Sequence, residues 1–267
     1  MFFQKNRVMK LGVCYSVFDG YELLEGSILS IRNNVDYICV GYQNFSYKNQ
    51  LANPKLKETL DILLKKKLID KVYLYHTNNK ISPTRQERKK RKIGLYLAKK
   101  QGCNYFLTMD CDEFYEEQQF KKAKEFIVQN NIKSCVVPMV EYIKEPIYQI
   151  STDNYCPFIF KINFFSSLKK VKNFPLNVDG SRCVNTKKNF YKFSENEIYT
   201  HHMRLVRQDL KAKYINRSNA NKFSENTINN ILKEVNNYTY PNDFIDYEKD
   251  GRVDKVSKVD NIFNIKI

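Results

Sequence analysis

No stretch of the 267-residue chain approaches ~20 uninterrupted apolar residues, so a membrane-spanning helix is not expected. Eight glycines and seven prolines are too few for a collagen-like or linker-like chain. There is no CxxC pair among the seven cysteines (14, 39, 103, 111, 135, 156 and 183), which argues against a zinc site. Scattered singly, odd in number and set in apolar runs, they read as buried free thiols of a reducing compartment. Internal repeats and low-complexity linkers are missing too. Acidic residues are the scarcer charge, 29 against 45 basic, for a net charge of +16. Such an excess suggests a polyanion, an anionic membrane surface or an anionic substrate. Lys, Asn, Ile, Tyr and Phe are abundant together, however, a bias that AT-rich coding produces without selection for binding, and nucleic acid is not expected as the partner. The 42% apolar and 28% charged content is ordinary for a globular protein. The length allows one large domain, or one domain with an appendage, around a sizeable core. The apolar stretch 11–18 runs into Asp19 and Gly20 with no small-residue cleavage site, and reads as a first strand rather than a leader.

Over the first 140 residues, strand and helix patterns alternate. Strands are expected at 10–17, 37–42, 72–75, 105–109 and 134–140, and helices at 21–32, 54–67, 82–100 and 118–129. Leu23, Leu24, Ile28 and Ile31 recur at helical spacing. Pro54 suits a first helical turn, as does Pro83 after a capping Ser82, with Thr84 and Glu87 as an alternative capping box. This rhythm implies βαβ units and an α/β, doubly wound, mainly parallel sheet. Beyond 140, Pro146, Pro157 and Pro175 break it into short aromatic-rich segments, with strand candidates at 158–162 and 187–193. Helices return near 205–217 and 223–236. The last thirty residues are expected on the surface or partly disordered.

Ligands of an open parallel sheet bind beyond the carboxyl ends of its strands. On that edge the fourth strand runs directly into Asp110, Asp112 and Glu113. In an extended chain Asp110 and Asp112 would share a side and repel each other unless a cation lay between them. Magnesium or manganese, which take one or two carboxylates and complete their shell with phosphate oxygens and water, would satisfy them. An acidic turn that caps the following helix is the plainer alternative. The helix beginning at Ser82 opens on the same edge with Arg85, Arg88 and Arg91, suited to phosphate oxygens. Of the three histidines, His201 and His202 stand together ahead of Arg204, Arg207, Lys211 and Lys213. One imidazole, His202 before His201, is expected to complete the ion's shell while the neighbouring cations hold phosphate.

The segments CYSVFDGYELLEGSI (14–28), RQERKKRKIGLYLAKKQGCNYFLTMDCDEFY (85–115) and THHMRLVRQDLKAKYINRS (200–218) resemble bacterial nucleotide-sugar glycosyltransferases of the GT-A (Rossmann-like) fold, within or close to glycosyltransferase family 2. LTMDCDEFY is similar to their DxD element. The resemblance implies a catalytic domain over 1–204 with a C-terminal helical extension, 205–267, packed on it. Asp110, Asp112 and His202 would serve a Mn2+ or Mg2+ ion, Asp110 also the donor diphosphate. Tyr15 and Asp19 would hold the nucleobase and ribose, with Arg88 or Arg91 near the nucleotide. The implied reaction moves a sugar from a nucleoside-diphosphate sugar to an acceptor hydroxyl, with inversion. The implied setting is assembly of a bacterial surface glycan (lipooligosaccharide or capsule) on a glycan or lipid-linked glycan acceptor. The protein would then be cytoplasmic, in peripheral contact with the anionic inner membrane through clusters such as Lys89–Lys92 or Lys169, Lys170 and Lys172. The family's ED pair is missing. Glu141, Glu145, Asp153 and Asp179 are the candidates for the base it would supply, with Asp179, in the turn-like VDGSR of 178–182, placed first and Glu113 as a second catalytic carboxylate; Asp179 also reads simply as an Asx turn ahead of Gly180. Two other nucleotide or phosphate chemistries fit less well. A nucleotidyltransferase would place its Gly-Ser ahead of the carboxylates, whereas Gly180-Ser181 follows them. A DxD phosphatase would carry the motif on its first strand, with Thr or Val where Phe114 stands. A noncatalytic basic module is the remaining alternative.

Overall fold

The computed structural model describes residues 8–169, 174–176, 178–185 and 189–267. The alternating part folds as its pattern predicts, within a few residues at each end. Strand β1 (Leu11–Val17) leads to α1 (Tyr21–Ile31), β2 (Tyr37–Tyr42), α2 (Pro54–Lys65), β3 (Lys71–Leu74), α3 (Pro83–Lys100) and β4 (Tyr105–Met109). Pro54 opens α2 behind Asn53, whose side chain accepts from the Lys55 amide. Ser82 stands at the N-cap of α3 but its hydroxyl caps nothing. The Gln86 side chain instead ties the preceding loop to the helix start, accepting from Asn78 N at 2.7 Å and donating to Ile81 O at 2.8 Å. Nor does Glu87 close a capping box; it pairs with Arg91, one turn along.

β5 (Glu113–Phe114), α4 (Glu117–Gln129), β6 (Ser134–Ile143), β7 (Tyr148–Lys161), β8 (Phe190–Lys192) and β9 (Thr200–Leu205) follow. Helices α5 (Leu210–Asn216) and α6 (Glu225–Asn237) and the short strands β10 (Phe244–Asp246), β11 (Arg252–Asp254) and β12 (Ser257–Lys258) complete the chain. The main sheet runs β3-β2-β1-β4-β7-β6-β9-β5, with β8 on β6 and β12 on β7. Pairs β1–β2, β1–β4, β2–β3, β6–β8 and β6–β9 are parallel; β4–β7, β6–β7, β5–β9 and β7–β12 are antiparallel.

The expected fifth strand, 134–140, therefore does not lie beside β4. It closes a hairpin with β7, and β7 takes the place next to β4, with Phe106 opposite Phe160. Pairing across a four-residue turn closes a far shorter loop than a crossover does. The candidate 158–162 is the end of this long strand. Of the candidate 187–193, residues 187 and 188 lie outside the described residues. Strand β9 was hidden in THHMRL, whose two histidines and arginine do not read as a buried strand. The C-terminal thirty residues are not a loose tail. Phe244 pairs with Asp254 and Ser257 with Gln149, and Phe263 packs its ring 5.1 Å from Phe114 and 4.8 Å from His201. No described helix is long and apolar enough to cross a membrane.

Strand alternation separates two apolar layers. Leu11, Val13, Tyr15 and Val17 of β1 face α1, α2 and α4 through Leu24, Ile28, Leu56, Leu60 and Phe120. On the opposite face, Cys14 and Cys39 meet Leu95 and Ala98 of α3. That approach is close because Gly94 has no side chain: a Cβ there would sit 2.1 Å from Cys14 Sγ. An alanine at an exposed helix site gains ~1 kcal/mol over glycine, but overpacking a core costs ~1–3 kcal/mol or more. Gly94→Ala is therefore expected to lower the unfolding free energy by about 1–2 kcal/mol, read by chemical denaturation; a gain in stability would show that α3 does not seat on β1 this tightly.

Candidate functional site

A cleft of about 510 Å³ opens beyond the carboxyl ends of β1 and β4. Eight acidic and seven basic side chains are among its described lining residues. The chain's +16 excess is therefore not gathered here, and the cleft by itself holds almost balanced charge.

The DxD carboxylates sit at the mouth of β4, but they diverge. The chain turns directly after Met109: Glu113 N donates to Asp110 O at 3.2 Å, and Asp110 N to Glu113 Oε2 at 3.0 Å. The extended geometry that would place both on one side is lost in this turn. Asp110 faces α3 and the loop before Cys183, where Arg91 Nη2 lies 3.0 Å from Oδ1 and Arg182 pairs with Oδ2. Asp112 faces β9 and α5. Its Oδ2 receives Arg207 Nη2 at 2.6 Å and Lys213 Nζ at 3.0 Å, and lies 3.3 Å from His202 Nε2. Burial disfavours both carboxylates, but Arg182 and Arg91 outweigh it at Asp110, and Lys213, Arg207 and His202 hold Asp112 well below the usual carboxylate range.

Glu113 is buried and bound by Arg182 at 2.7 Å, yet burial wins and its pKa rises. It lies opposite His202 in the β5–β9 ladder and serves as the floor of the cleft. Asp179 is the most open of the group, its side chain 46% exposed against 30% for Asp110 and 6% for Asp112. Its carboxylate accepts from Arg91 at 3.0 Å and from the Ser181 amide at 2.8 Å. The Asx turn and the site contact are thus the same structure. Burial opposes its charge, but Arg91 and Arg182 hold the group well below its ordinary pKa.

Tyr15 does not reach the cleft. It belongs to the inward set of β1, fully buried with its hydroxyl 3.1 Å from Ser27 Oγ, and Ser16 lines the cleft in its place. Asp19 does line it. Arg88 is not among the lining residues; Glu87, Lys90 and Arg91 of the same helix are. Lys90, buried and donating to Gln43 Oε1 at 3.1 Å, is pushed down to about 8 by desolvation. With Lys90 and Arg91 turned inward, the 89–92 run is not a continuous basic surface, and Lys170 and Lys172 lie outside the described residues. The two histidines part company by strand alternation. His202 lines the cleft, whereas His201 is a core residue, its Nδ1 2.8 Å from the Tyr142 hydroxyl and its pKa pushed down to about 3 by burial. Sequence reasoning misses Arg182; the turn signal at 178–182 locates its segment without revealing that it reaches three carboxylates at once, Asp110, Glu113 and Asp179.

Part of this arrangement suits a divalent cation. An octahedral magnesium ion with bonds of about 2.1 Å places neighbouring donors about 3.0 Å apart. The 3.3 Å between Asp112 Oδ2 and His202 Nε2 is close to that edge, and His202 Nδ1 is buried with no protein partner. Asp110 does not join them: among the described residues no three His, Cys, Asp or Glu side chains form a metal-sized group. A two-donor site completed by phosphate oxygens and water is what the residues fit.

No protein-family model matches the chain, and no curated protein matches it. Among solved structures it is similar to S. aureus TarS, with a TM-score of 0.43 and 14% identity over 86% of this chain and 43% of that one. It is also similar to S. aureus TarS 1–349 in complex with UDP-GlcNAc, with a TM-score of 0.36 and 16% identity over 50% of this chain and 35% of that one. GalNAc-T7 with UDP, GalNAc and Mn2+ gives a TM-score of 0.37 and 18% identity over 51% of this chain and 24% of that one. The chain spans less than half the length of each.

Arg207 reaches Asp112 across Gly20, which has φ 71°; a Cβ there would lie 2.0 Å from Arg207 Nη1. Gly20→Ala is expected to cost about 1–2 kcal/mol from the left-handed backbone alone and to push the guanidinium off the carboxylate. In a double-mutant cycle with Arg207→Ala, measured by denaturation, part of the loss should be recovered; strict additivity would mean that Gly20 does not make room for Arg207.

Proposed function

We propose that this cleft is the donor site of a glycosyltransferase that moves a sugar from a nucleoside-diphosphate sugar to an acceptor hydroxyl. The observation that carries the reading is the pair of carboxylates at the end of β4, set in a cleft at the sheet edge where phosphate ligands bind and flanked by Arg91, Arg182, Arg207 and Lys213. The finer reading keeps the GT-A family likeness, a unit over 1–204 carrying the site, and an extension over 205–267 that supplies Arg207 and Lys213. It also keeps a glycan acceptor at a bacterial inner membrane.

The leaving diphosphate gains negative charge as the glycosidic bond breaks, so fixed cations near it lower the barrier. The guanidinium groups of Arg91 and Arg182 are already held in place by Asp110 and Asp179, so they need little reorganisation. Asp112 with His202 would hold Mn2+ or Mg2+, which supplies further positive charge to the departing oxygen. Inversion needs a proton acceptor on the acceptor's side. Asp179, ionised and the most open of these carboxylates, is proposed for it; its low basicity suffices because a hydroxyl bonding to an oxocarbenium-like carbon becomes acidic. Glu113 positions Arg182.

Calorimetry with UDP, GDP, CDP and ADP and their sugars, with manganese present, tests the reading; failure to bind any of them would overturn it. Asp112→Asn should lower turnover of the true donor by at least ~100-fold, and full turnover in that variant would contradict the site assignment. Asp179→Asn should lower turnover by about 10²–10⁴-fold while nucleotide affinity changes by no more than about threefold; an equal loss in both would reduce Asp179 to a support for Arg91.

A further inference from the structure

Asp112 Oδ2 is shared by more cations than one carboxylate oxygen needs. Arg207 and Lys213 both bond to it, at 2.6 and 3.0 Å, and it is also the oxygen that faces His202 Nε2. A divalent ion bridging Asp112 and His202 would meet two like charges at the same oxygen. The side chains concerned are nearly buried, Arg207 4% and Lys213 14% exposed, so water screens that repulsion poorly. Metal and basic side chains therefore compete for one seat.

Both cations also have somewhere to go. Each lines a second cavity of about 530 Å³ as well as the cleft, so they form the partition between two open spaces. Lys213 Nζ keeps a second bond, 2.6 Å to Arg204 O, that does not depend on Asp112. Arg207 Nε is buried with no protein partner, so its guanidinium still has a donor to offer. The balance of charge supplies the reason for an exchange. A cleft lined by eight acidic and seven basic side chains has no surplus positive charge for a diphosphate. A divalent ion that takes over Asp112 would add two positive charges to that balance and leave Arg207 and Lys213 free for the diphosphate oxygens.

We infer that Arg207 and Lys213 occupy the metal's seat on Asp112 in the ligand-free protein and pass to the diphosphate oxygens when the nucleotide enters, so that the divalent ion is taken up with the nucleotide and not ahead of it. This rests on the donor-site reading for the identity of the anion, but the competition for Asp112 is a property of the chain alone. Arg207 and Lys213 are then positioning residues for the metal and binding residues for the diphosphate.

Binding of MnCl2 alone, followed by the loss of the free-ion electron paramagnetic resonance signal, tests the competition without nucleotide or turnover. Wild-type protein should bind Mn2+ weakly. Lys213→Met, which keeps most of the side chain's bulk and removes its charge, should bind it about tenfold more tightly. Lys213→Arg should stay near wild type, and adding Asp112→Asn to Lys213→Met should abolish the gain. Arg207→Gln is the second variant should Lys213→Met fold poorly, with the same expected direction. Unchanged or weaker Mn2+ binding in the charge-removing variants would overturn the inference, as would tight binding to wild type. Calorimetry of the same proteins with the four nucleoside diphosphates separates the two claims. Tighter manganese but weaker diphosphate binding in Lys213→Met supports both. Tighter manganese with no diphosphate bound by wild type leaves the competition standing and removes the donor-site reading.

Discussion

One carboxylate oxygen ties this site together. Asp112 Oδ2, at the tip of the central strand, receives a guanidinium, an ammonium and the edge of an imidazole that arrive from ninety or more residues later in the chain. Remove that oxygen and three cationic or protonatable groups are left crowded without a counter-charge; remove its partners and an ionised carboxylate is stranded out of water. Buried pairs of this kind seldom stabilise a fold beyond what an apolar replacement would achieve, since desolvation consumes most of the attraction. Their value lies in geometry. They fix where β9 and α5 meet the end of β4.

The second layer of constraint is steric. Gly94 lets α3 press onto β1, which sets the depth at which Arg91 emerges, and Gly20 leaves the gap through which Arg207 crosses to the carboxylates. The C-terminal region then locks the far side. Arg204 binds Glu141 at 3.1 Å, Asp246 at 2.8 Å and Glu248 at 3.0 Å, which joins β6, β9 and the segment around β10. The charged residues that make the chain's end look like a solvated tail are the ones that fasten it.

The alternating α/β half and the placement of the acidic turn were legible in the sequence because they rest on local rules: apolar periodicity, proline at helix starts, and the run from an apolar strand into Asp110 and Asp112. The choice of His202 over His201 for the cleft also follows the two-residue period of a strand, although THHMRL was not itself recognisable as one. Tyr15 shows the limit of the same rule. A loop placed at the correct edge of the sheet still begins with a residue whose side chain belongs to the core, and only the register against α1 and Ser27 tells which one.

What the sequence determined alone was the chemistry available at one edge of a parallel sheet: carboxylates after β4, arginines on the helix that opens there, a late histidine and basic residues behind it. Which of these charges meet was decided only in three dimensions. The turn at residues 110–113 sends Asp110 toward Arg91 and Arg182, and Asp112 toward His202, Arg207 and Lys213; pairings over such separations leave no periodic mark in the chain. They arise because β7 inserts beside β4 and carries β6, β9 and α5 round to the mouth of the cleft, and long-range strand order depends on loop closure and packing rather than on any local pattern.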